Sequence, residues 1–96
     1  MNFSANMENL RALGKEVQVL ASDYQAEVAK VYTNVENLRN AWSGQDNQAY
    51  INKVNEYKAD IENLGKVIDR YGLFLVETAK NLENVQNEIA NQANKL

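Results

Sequence analysis

Apolar side chains recur along this chain at steps of three and four residues, the spacing of one helix face rather than the alternation of strands. The first run is Leu10, Leu13, Val17, Leu20, Tyr24, Val28, Val31, Val35, Leu38 and Trp42. The second is Tyr50, Val54, Tyr57, Ile61, Leu64, Ile68, Tyr71, Leu75, Leu82, Val85, Ile89 and Leu96, with Thr78 and Gln92 filling the gaps in its heptad count. Each reads as a coiled-coil-like seam, sustained for about five heptads in the first and about six in the second. Glu27 and Asn34 fall where a strict heptad wants apolar residues, and a stutter that relaxes the supercoil accounts for them.

The strong punctuation between the runs is Ser43-Gly44-Gln45-Asp46. Gly44 suits a left-handed position closing the first helix. Ser43 and Asp46 form a capping box, or Asp46 alone caps the second helix; the sequence leaves both open. The pattern predicts one domain over residues 1–96, with helix one at about 5–42, a turn at 43–46 and helix two at about 47–92. So short a connection forces the helices antiparallel. The expected fold is all-α, a hairpin of two long helices in which a helix of about 36 residues reaches roughly 54 Å.

A rod of that shape has little interior. If each helix buries its main seam on the other, Ile51, Val67, Phe74 and Val76 are left off it. Gly65, Gly72 and Ala79 repeat every seven residues beside the seam, and Gly14 and Ala21 share that spacing in helix one. Glycine inside a helix costs roughly 1 kcal/mol relative to alanine, so the repetition points to close packing rather than to glycine tolerated at a surface. The expectation is a dimer: two hairpins making a four-helix bundle, with Gly65, Gly72, Ala79, Val67 and Phe74 at the contact.

Composition removes most chemistry. The chain lacks proline, cysteine and histidine, so nothing forbids long helices, and thiolate nucleophiles, disulfides and the commonest general base are all missing. The paired carboxylates Glu56 with Asp60 and Asp23 with Glu27 fall on outer helix faces, where solvation leaves them untuned for acid–base work. No Glu-x-x-His supports a carboxylate metal site, and the glycines are too scattered for a phosphate loop. The reading is a non-enzyme with no cofactor, no metal and no small-molecule substrate. Net charge is −3 with the signs interspersed, which gives no basic patch for nucleic acid. Asn81, Asn84, Asn87, Asn91 and Asn94 form a polar stripe late in helix two, by default a solvated face. No stretch approaches the roughly 18 apolar residues of a membrane span, and Met1-Asn2-Phe3-Ser4 has no feature of a cleavable Sec-type signal.

Trp42-Ser43-Gly44 thus stands at the midpoint of a proline-free, cysteine-free helical hairpin of about one hundred residues. In that setting the chain resembles the WXG100 family, the ESAT-6-like small substrates of type VII secretion in Gram-positive bacteria. The resemblance covers the whole chain in length and architecture and three residues in motif. It implies a homodimer, or a heterodimer with a second family member, exported without a cleavable signal peptide by a membrane-embedded secretion ATPase. It also implies that Trp42, Ser43 and Gly44 mark a recognition turn. In the family that turn works with a Tyr-x-x-x-Asp/Glu near the end of the partner's second helix. Here Tyr71 is followed four residues later by Leu75, and Tyr32 to Glu36, the one Tyr-x-x-x-Glu, is on helix one. The departure leaves room for a cytoplasmic helical chaperone or adaptor that targets a larger effector. The plainest alternative is a structural coiled coil.

Overall fold

The computed structural model describes residues 3–41 and 44–95. Its regular elements are all helices: α1 (Phe3–Ala41), α2 (Gln45–Glu56) and α3 (Lys58–Asn94). Arg11 pairs with Glu83, Gly14 lies against Gly72, Tyr24 reaches Ile61 and Tyr32 reaches Val54, so α1 runs antiparallel to the rest. The hairpin is 79 Å long and 17 Å across each way. Charge placement supports its helix ends: Arg39 lies in the last turn of α1 and Asp60 in the first turn of α3, each opposite in sign to the local helix dipole.

Three features differ from the sequence reading. The first is Gly44. It has φ −94° and ψ 153°, extended backbone, and opens α2 as its N-cap instead of closing α1 in a left-handed turn. Its carbonyl accepts Gln48 N–H at 3.1 Å. Asp46 falls inside α2 and so is not its N-cap, while Ser43, the other half of the predicted capping box, lies outside the described residues.

The second is a break in the second helix at Tyr57, which separates α2 from α3. Tyr57 has φ −89° and ψ −5° and donates its N–H to Val54 O at 3.2 Å, a bond three residues back rather than four.

The third is the core. Its α1 contribution is Met7, Gly14, Ala21 and Tyr32, and its α3 contribution is Gly65, Gly72, Leu75 and Ala79. Gly65, Gly72 and Ala79 therefore line the seam inside one hairpin, which corrects their assignment to a contact between copies. A Cβ on Gly72 would come 2.7 Å from Gly14 O, so the two backbones touch. Two leucine-sized ridges would hold the axes about 8–10 Å apart; small residues facing one another remove that spacer. Ile51, expected off the seam, is completely buried at 0 % exposure.

Toward the turn the packing changes character. There the rings of Tyr24 and Tyr32 lie between the helices, with Tyr24 Oη donating to Ile61 O at 2.9 Å and Tyr32 Oη to Val54 O at 3.1 Å. The hairpin is tight at its glycines and propped at its tyrosines.

Candidate protein-interaction face

Because the small residues take the seam, the large ones are displaced outward. Leu13 and Leu20 each precede Gly14 and Ala21 by one position, and Leu64 and Tyr71 each precede Gly65 and Gly72 by one. One residue back is about 100° around a helix. In an antiparallel pair, equivalent flanks of the two helices meet on the same side of the seam. These side chains, with Val31, Leu38, Leu82, Val85 and Ile89, therefore form one apolar face along the rod, and every one of them is exposed. Phe74 at 60 % exposure and Val67 at 56 % widen it on the α3 side.

At the turn end this face is concave. A groove of about 260 Å3 is lined by Tyr24, Glu27, Val28, Val31, Tyr32, Val54 and Ile61. It leads into another of about 310 Å3 among Val31, Asn34, Val35, Leu38, Tyr50 and Val54. Both follow from the tyrosine props, which leave space on the flanks that a closer approach would have closed.

The other side of the seam carries charge, with Leu73, one residue after Gly72, exposed there as well. Arg11 crosses it, pairing with Glu83 at 2.5 Å and with Glu8 on its own helix. The hydrogen bond with Glu83 is the main reason the Arg11 guanidinium is held above its ordinary pKa, and the Glu8 charge adds to it. Its stabilisation is complete below the unfolded value and fades only as pH rises through the folded one, so it does not titrate near neutrality. Other ion pairs, Lys30 with Glu27 and Lys53 with Glu56, are local and exposed, a class that contributes little to stability. Among the described residues no group of three or more carboxylates gathers as a metal site. No described helix is long and apolar enough to cross a membrane.

Of the residues picked from the sequence, Trp42 and Ser43 lie outside the described ones. Gly44 is half-buried at the start of α2, followed on that helix by the buried Asn47 and Ile51. Val67 and Phe74 are on the outer face, away from Gly65, Gly72 and Ala79. The sequence reading missed the exposure of Leu13, Leu20, Leu64 and Tyr71. The signal for it was present: small residues at seven-residue spacing occur on both helices, and two such strips can meet each other.

The family model described as "Proteins of 100 residues with WXG" matches residues 2–87. The chain belongs to the WXG100 family. It is thereby an ESAT-6-like, type VII secretion-associated protein. Protein YukE of Bacillus subtilis (strain 168) is 25 % identical over 85 residues, covering 88 % of each chain. The crystal structure of EsxA from Geobacillus thermodenitrificans superposes with a TM-score of 0.79 at 24 % identity, covering 92 % of this chain and 98 % of that one. At that identity the superposition bears on the fold alone, and it is the extended hairpin that the two have in common. WXG100 members are small helical proteins, and the described residues of this chain form three helices.

Proposed function

We propose that this WXG100 chain is a small non-enzymatic export substrate of a type VII secretion system and works as a dimer through its apolar face. The family match over residues 2–87 supports the secretion role. The observation that carries the dimer is the run of exposed side chains from Leu13 to Leu38 and from Leu64 to Ile89. Monomeric proteins rarely leave a contiguous apolar patch larger than a few hundred Å2 in water. Burial of such area contributes roughly 25 cal/mol per Å2, and each large side chain fully buried about 1.5–3 kcal/mol, enough in sum to offset the entropy of association. A second hairpin, of the same sequence or of another family member, offers the matching surface.

Trp42, Ser43 and Gly44 are the recognition turn in this reading, and a secretion ATPase is what reads it. The test is export from a host that carries the machinery. The chain is expected in the culture medium, absent when the ATPase is inactivated, and retained in the cell after Trp42→Ala or Gly44→Ala. Undiminished release of both variants would sink the assignment.

One observation favours a second reading. Four residues after Tyr71 stands Leu75 rather than an acid, and Leu75 is buried in the seam of its own hairpin. In this reading the chain serves as a chaperone or adaptor that accompanies a larger effector carrying the second signal. Release that occurs only when the effector is co-expressed distinguishes this from autonomous export.

A further inference from the structure

The break at Tyr57 has neither of the commonest residue causes behind it. The chain contains no proline, and no glycine falls between Gly44 and Gly65. What stands at the break is a side chain from the opposite helix. Tyr32 Oη donates to Val54 O at 3.1 Å, and the same carbonyl accepts Tyr57 N–H at 3.2 Å. A carbonyl oxygen has two lone pairs, and these two donors occupy both. In an uninterrupted helix Val54 O would instead serve Lys58 N–H, four residues on. Regular bonding resumes with Ile61 N–H on Tyr57 O at 2.9 Å. A side chain entering the ladder is a known cause of interruption, and a short tightened turn within a long helix is a common form of hinge.

The molecule contains its own comparison. Tyr24 Oη donates to Ile61 O at 2.9 Å, yet α3 runs on without a break. Hydroxyl donation alone is therefore insufficient; the ladder must also be weak. Val54 lies between Asn52 and Asn55, both poor helix formers, whereas Ile61 is followed by Glu62 and Leu64 with Asn63 between them. Lys58, the first residue past the break, places Nζ 5.3 Å from the centroid of the Tyr32 ring, a cation–π contact that holds the ring in place.

We propose that Tyr57 is a joint and Tyr32 its latch: the Tyr32 hydroxyl on Val54 O keeps the second helix open by one turn, so that α2 tilts against α3 while the Gly14–Gly72 seam stays shut. Motion at this joint changes the width of the groove among Val31, Val35, Leu38, Tyr50 and Val54, which lets the turn end of the apolar face fit its partner. The joint is independent of the export reading and stands or falls separately from it.

Amide hydrogen exchange on the full chain tests it. The Lys58, Ala59 and Asp60 amides, the first donors of α3, are expected to exchange at least tenfold faster than the α3 interior from Val67 to Leu73. Tyr32→Phe frees Val54 O for Lys58 N–H and is expected to slow those three amides at least tenfold. Tyr24→Phe, which removes the same atom about two turns away, is expected to leave them fast. The proposal is overturned if the three wild-type amides are as protected as the interior, if Tyr32→Phe leaves them unchanged, or if Tyr24→Phe slows them equally. Should Tyr32→Phe not fold, the wild-type comparison decides alone.

Discussion

Gly14 and Gly72 meet backbone to backbone: a Cβ on either would lie 2.7 Å from the other's carbonyl oxygen. Carbonyl groups held in two helices cannot rotate away, so an added methyl must push the helices apart. Alanine improves helix propensity by roughly 1 kcal/mol, but overpacking of this kind costs about 1–3 kcal/mol and strips contacts from the neighbouring Ala21 and Ala79 as well. Gly72→Ala and Gly14→Ala are each expected to destabilise the fold by about 1–2 kcal/mol, lowering Tm by roughly 5–10 °C in thermal melts followed by circular dichroism. An unchanged or raised Tm would show that the seam is looser than this.

Gly65 provides the contrast. A Cβ there meets Gln25 Cγ at 2.9 Å and Tyr24 Cδ1 at 3.0 Å, which are side chains rather than backbone. Gln25 is exposed, so a χ1 change can carry its Cγ aside, and the Tyr24 ring has only to give by a few tenths of an ångström. Gly65→Ala is therefore expected to be close to neutral, within about 1 kcal/mol, since the gain in propensity offsets the adjustment. The same melts rank Gly65→Ala above Gly72→Ala; the reverse order contradicts the geometry.

The apolar face is separable from the fold. Leu20 and Phe74 are each 60 % exposed and take no part in the Gly14–Gly72 seam. Leu20→Glu and Phe74→Glu should leave single-hairpin helicity intact while placing a charge on the face proposed to receive a second copy. Light scattering on the unmodified chain is expected to give twice the 10.9 kDa chain mass, and on the double variant the single mass. A double variant that still dimerises moves the contact elsewhere.

Gly44→Ala offers an unusually clean functional readout. With φ −94° and ψ 153°, position 44 is in backbone space open to any residue. Alanine there forfeits only a weak cap, so stability should change by less than about 1 kcal/mol. Loss of export in this variant, with an unshifted melt, then reports recognition of the turn rather than unfolding. A large drop in Tm would remove that distinction.

Helix period and antiparallel order were legible in the chain, because the two apolar seams bear directly on them. How each stripe divides between inside and outside was not. Periodicity locates an apolar stripe without saying which part of its width faces the neighbouring helix. That choice depends on the two small-residue strips finding each other, a pairing between Gly14 and Gly72 across 58 positions of sequence (72 − 14). The break at Tyr57 was hidden for a related reason. It needs a hydroxyl from Tyr32 on the opposite helix as well as the weak ladder around Asn52 and Asn55, and no proline or glycine marks it. The backbone of Gly44 was misread because a glycine after a long helix fits a left-handed stop as readily as it fits an extended start.

The proportions of the hairpin bear on passage as well as on packing. Seen end-on, the rod is 17 Å across in both directions, against a length of 79 Å. A pair laid side by side doubles that profile in one direction only. Whatever admits such a particle lengthwise needs an aperture set by the width of a few helices, and the length of the rod places no demand on that bore.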